Sequence, residues 1–158
     1  MQSAYSTNMD AGFEGQVADL TNHDALTYAA EGAIPFGRGV VEGTTPKQVK
    51  LPGAASTAAQ FRGVTLHSHA VEQDADGVAQ YRDKRATSVM TRGRVLVKVE
   101  QNVVPGDAVY LRIAANGAGT AAGQFRKDAD TDKAVAITKA RWTEAIAAGG
   151  VGVLEFGL

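Results

Sequence analysis

Cysteine is absent from the 158 residues, so neither disulfides nor thiol chemistry can contribute. Aromatic residues make up only 6% of the chain, with one tryptophan, and proline occurs four times. A core with so few rings must be built from alanine and valine. The 18 glycines set among short valine runs predict short strands joined by tight turns. No stretch approaches the roughly 20 apolar residues of a membrane span. The leading MQSAYSTNMDAG has neither a basic start nor an apolar segment, which predicts no signal peptide and assembly in the cytosol.

Lysine and arginine are also missing from residues 1 to 37, which carry Asp10, Glu14, Asp19, Asp24 and Glu31. The bases gather downstream: residues 82 to 98 hold Arg82, Lys84, Arg85, Arg92, Arg94 and Lys98 against Asp83 alone. A net charge of −1 gives no general attraction to nucleic acid or anionic membrane. The polarity does suit contact between the chain's own ends, or with a complementary neighbour.

The hydrophobic pattern predicts one domain of all-β class, a compact antiparallel β-sandwich or barrel (jelly-roll-like) with an extended N-terminal arm. Residues 1–35 read as the arm, with VADLTNHDALTYAA (17 to 30) a short helix or irregular chain; residues 36–158 read as the β-domain. Strand signals recur about every ten residues. FRGVTLHSHAVE alternates Val64, Leu66 and Ala70 against Thr65, His67, His69 and Val71. In RVLVKVE, Val95, Val97 and Val99 share a face while Arg94, Lys98 and Glu100 point the other way. Val109, Leu111 and Ile113 point inward, and DADTDK reads as an exposed turn. The final segment reads as strand, turn, strand, with one helical turn at Glu144–Ala148.

Catalytic chemistry finds little support. EGAIPFGRGVVEG resembles a phosphate loop only superficially: its glycines read G-x-G-x-x-x-G, and Val40 and Val41 after them favour strand over the helix a dinucleotide fingerprint needs. Gly37 and Gly39 read instead as a tight approach to the first core strand. His67 and His69 would hold a metal only if a third ligand converged, and a solvent face or subunit contact is the simpler reading. Asp128, Asp130 and Asp132 imitate a calcium loop, but Lys133 and Lys139 stand where glycine and glutamate are needed. No G-x-S-x-G occurs, and Ser68 alternates away from both histidines. The expectation is a protein that is not an enzyme and needs no cofactor or metal.

The order of the segments resembles the capsid cement, or head-decoration, proteins of tailed bacteriophages. The matching pieces are GFEGQVADL (12 to 20), EGAIPFGRGVV (31 to 41), FRGVTLHSH (61 to 69), VMTRGRVLVKVEQNVVPGDAVYL (89 to 111), GQF (123 to 125) and AAGGVGVLEF (147 to 156). The resemblance implies a structural protein on the outer surface of the virion head, assembled in the bacterial cytoplasm. It would bridge neighbouring major capsid subunits, work as a homodimer or homotrimer, stabilise the shell against DNA pressure, and touch neither nucleic acid nor membrane. Candidate contact residues are Tyr5, Met9 and Phe13 as arm anchors, and Arg38, Arg92 and Arg94 as partners for acidic surfaces. The competing readings are a small-ligand or carbohydrate-binding β-module of a virion or cell surface, and an enzyme built on a metal at His67 and His69. The first of these would need grouped surface aromatics.

Overall fold

The computed structural model describes residues 12–71, 73 and 75–157, so Tyr5 and Met9 lie outside the described residues. Among the described residues twelve strands follow in order: β1 Val17–Ala30, β2 Ile34–Pro35, β3 Gly39–Glu42, β4 Gln48–Lys50, β5 Phe61–Thr65 and β6 Gln80–Tyr81. Then come β7 Ala86–Lys98, β8 Tyr110–Arg112, β9 Phe125–Arg126, β10 Ala134–Ala136, β11 Ala140–Trp142 and β12 Val151–Phe156. The fold is all-β, and its regular helix among the described residues is one short 3-10 turn at Ala58–Gln60.

Barrel is the better of the two expected architectures. The main sheet runs β1-β4-β3-β5-β7-β12-β11, and β1 also pairs with β7. The pairings β1–β4, β4–β3, β3–β5, β5–β7 and β7–β1 therefore close a ring. One of them, β1 with β4, is parallel, so the sheet is mixed rather than purely antiparallel. A smaller sheet, β10-β8-β9, lies against the ring, and β2 pairs with β6.

Adjacent residues of a strand face opposite ways, and here both faces of the ring wall are apolar. Val40, Val49 and Val89 join Ala30, Ile34, Phe36 and Tyr81 in one buried cluster. Their chain neighbours Val41 and Met90 join Val64, Val95, Val97, Leu111, Phe125, Trp142 and Leu154 in the other. This two-sided burial explains why the chain reads Val-Val and Val-Met where a half-exposed strand would alternate.

Several expectations are corrected. Residues 17 to 30 are strand, because β7 offers a long backbone edge from Ala86 to Val95 that outweighs the local turn preferences of Thr21, Asn22 and Asp24. Those preferences survive as register shifts, with Asn22 at φ 50°. β5 stops at Thr65, whose hydroxyl is buried, donates to the Pro35 carbonyl (2.8 Å) and accepts from the Arg38 N–H (3.0 Å). The stretch 144 to 148 is irregular, held by Ile146 N–H on the Val103 carbonyl at 2.9 Å.

Gly37 does shape the approach to β3. Its φ is +68°, and a Cβ there would lie 2.7 Å from the Gly15 nitrogen, where the leading segment crosses. Gly63 is tighter still: at φ +146°, a Cβ would sit 1.9 Å from the Met90 carbonyl oxygen. Gly63→Ala is expected to cost about 3 kcal/mol in denaturant unfolding, against less than about 0.5 for Gly53→Ala, which meets open space. Equal midpoints for the two variants would refute this packing.

Candidate functional site

Two ionic assemblies organise the charged residues. The first is buried. The wholly enclosed Arg112 guanidinium donates Nη2 to Glu100 Oε2 at 2.7 Å and to Asp130 Oδ2 at 2.6 Å, and Nη1 to the Ala114 carbonyl at 2.9 Å. Arg126 Nη1 reaches the same Glu100 oxygen at 3.0 Å and Asp130 at 2.9 Å. Glu100 is thus turned inward, contrary to the alternation of RVLVKVE, and Asp128 and Asp130 hold arginines rather than forming a bare exposed turn. The Arg112 hydrogen bond, then that of Asn116, keeps the Asp130 carboxyl below its usual range. This network ties β8, β9 and the turn after β9 together and engages the carboxylates of Glu100, Asp128 and Asp130 with arginines. Removing one member of a buried pair strands the other. Glu100→Gln is expected to lower unfolding stability by about 3 kcal/mol, and a loss below half of that would show the network to be dispensable.

The second assembly is a surface ladder across four neighbouring strands. Asp19 of β1 stands opposite Arg94 of β7, Arg94 opposite Glu155 of β12, and Glu155 opposite Arg141 of β11. The separations are 3.0, 3.4 and 2.6 Å. Asp19 is held below its ordinary pKa by the Thr21 N–H and then by Arg94. Arg94 is therefore engaged within its own chain, whereas Arg92, opposite Asp24, is exposed and makes no ion pair with a described residue.

The leading segment lies over one end of the ring. Gly15 N–H donates to Leu96 and Leu96 N–H to Gln16, while His67 N–H donates to Gly15. This places Phe13, 47% exposed, against His67, with ring centroids 4.4 Å apart. His69 follows at 4.7 Å from His67, and Phe36 and Tyr81 continue the cluster inward. The two histidines are neighbours as the H-x-H spacing suggested, but among the described residues no three His, Asp or Glu side chains are placed to hold a metal. Burial, and then His69, keep the His67 imidazole below its ordinary value of 6.5. A depressed histidine stabilises the fold above that value, and the contribution is lost as pH falls through the folded value. The melting temperature of the wild type is expected to fall more between about pH 7 and about pH 5 than that of His67→Phe. Parallel curves would exclude the histidine as the cause.

Two further surface features were not legible beforehand. β1 is paired along its β7 side, but among the described residues β4 meets its other side only at Ala29 and Ala30, and no described strand pairs with the rest of that edge. Leu20 (80%) and Leu26 (54%) stand exposed on this strand. At its end, the backbones of Lys47, Lys84 and Arg85 all bond to Ala29 or Ala30, at 2.9, 2.7 and 2.9 Å. Their exposed side chains make no ion pair with a described residue. A shallow cavity of about 370 Å³ beside them is lined by Tyr81, Arg82 and Arg85. Trp142 and Tyr81 are buried at 2% and 3% exposure, so neither offers the stacking face that a carbohydrate-binding module would use.

A family model described as "Structural cement protein (E217 gp24/Pam3 gp6)" matches residues 1–157. The chain belongs to this cement protein family. Membership over the whole length assigns it a structural role in the phage capsid and implies a non-enzymatic one, in keeping with the resemblance drawn from the segment order. A solved chain from "The capsid of Myoviridae Phage XM1" is similar in fold, with a TM-score of 0.76 at 16% identity. The similarity covers 98% of this chain and 96% of that one. No curated protein matches.

Proposed function

We propose that this cement protein binds the outside of an icosahedral phage head as a homodimer or homotrimer and bridges neighbouring major capsid subunits. In that position it stabilises the shell against the pressure of packed DNA, with no contact to nucleic acid or membrane, after assembly in the host cytoplasm. The observation that carries the reading is the family match over residues 1–157. The open β1 edge supports it physically: unpaired backbone groups beside Leu20 and Leu26 suit an added strand from another chain. Phe13 and Arg92, both exposed, extend that contact, and Tyr5 and Met9 are assigned to it as anchors of the leading arm. Arg94 serves it indirectly by holding β1 against β7.

Co-sedimentation with empty heads assembled from the phage's own shell protein tests the role. Saturable binding in a fixed ratio, with a higher melting temperature for decorated heads, is expected; no pelleting with expanded or unexpanded heads would refute it. Leu20→Lys combined with Leu26→Lys is expected to leave the free fold within about 0.5 kcal/mol of wild type. The same pair should weaken head binding about tenfold or more, and undiminished binding would remove β1 from the interface.

A further inference from the structure

Arg38 follows Gly37 at the start of β3 and is the exception among the enclosed arginines. Its side chain is 15% exposed, and Nη2 lies 3.8 Å from Glu14 Oε2, beyond hydrogen-bond range. Nε and Nη1 are both buried and have no hydrogen-bond acceptor among the described residues. Arg112 shows how the same chain satisfies an enclosed guanidinium, with two carboxylates and a carbonyl. Buried charged donors without acceptors are costly, and a group that supplies the acceptors removes that cost. Nε and Nη1 lie on different edges of the guanidinium, each forming a fork with Nη2, so a carboxylate bonded in parallel to Nη2 and one of them fills an edge.

We propose that Arg38 is the receptor for a carboxylate of the shell protein, and that Glu14 holds its place until docking. The inference rests on the cement reading and names the chemistry of the partner. The charge inventory favours the shell protein over a second copy of the chain as the source: among the described residues, exposed acids with no ion pair, such as Asp24 and Asp132, are outnumbered by unpaired cations. Glu14, Asp19, Glu31, Glu42, Glu100, Asp107, Asp128, Asp130 and Glu155 already form ion pairs. Asp83 and Glu144 accept the backbone N–H groups of Gly32 and Val153. Unpaired cations, by contrast, include Lys47, Lys84, Arg85, Arg92 and Lys98, so the described surface seeks acidic partners. The Glu14 side chain is 28% exposed and sits on the leading segment, so its rotation outward opens Arg38 to an incoming group.

The test pairs Arg38→Met with Glu14→Gln and measures binding of each to empty heads beside the wild type, with the melting temperature of each free protein. Arg38→Met is expected to melt at or above the wild-type temperature, since the uncompensated donors are gone, while its dissociation constant for heads rises about tenfold or more. Glu14→Gln is expected to bind about threefold tighter, because the competing carboxylate is removed. Arg38→Met that melts several degrees lower, yet binds heads like the wild type, would show an internal structural arginine and overturn the proposal. A change in oligomeric mass on Arg38→Met would assign the carboxylate to a second copy and overturn the shell assignment. Failure of the wild type itself to bind heads would overturn the cement reading, an outcome separate from equal binding by wild type and variant.

Discussion

Val17 lies opposite Val95 and Ala29 opposite Ala86, and this long pairing of β1 with β7 is what closes the ring. Without it, β7 would keep β5 and β12 on one edge and present the other to solvent, and the cluster around Ile34, Val40 and Val89 would lose a wall. The closure depends on residues that are poor strand formers by local preference. Asn22 at φ 50° and the register shifts between Asp19 and Asp24 are the strain of that compromise. The Asp19–Arg94–Glu155–Arg141 ladder runs across the weakest part of the pairing, clamping β1 to β7 where the backbone register slips.

The same closure creates the surface available for work. A strand recruited to complete a barrel, with β4 touching it only at one end, keeps an edge that no described strand pairs over most of its length. The unpaired cations at that end and the crossing of the leading segment at the other divide the molecule into a neutralised interior and an incompletely neutralised exterior. Such a division is what the proposed bridging role would use, since each feature left open on one copy would be repeated on every copy around a shell.

Much of this was legible in the sequence, and the failures share a cause. Inward positions such as Val95 and Val97 in β7, Leu111 in β8, and Val109 and Ile113 on either side of β8 follow from alternation alone. The all-β class and the family resemblance rested on such local signals. The strand at Val17–Ala30 did not, because its stability is supplied by β7, some 70 residues away in the chain. Glu100 was misplaced for the same reason: alternation assigns it to the surface, and only the fold brings Arg112 and Arg126 to it. Arg38 was legible as a basic candidate, whereas its missing acceptors are a property of the packed structure.

Amide hydrogen exchange of the β1 backbone, free and on decorated heads, tests the central claim most directly. The account predicts that in the free protein the amides on the open side of β1 exchange far faster than those of β7 and β12, and that head binding protects them while leaving β12 unchanged. Open-side β1 amides that exchange at the same rate free and bound would contradict the claim that this edge is where the cement protein meets its shell.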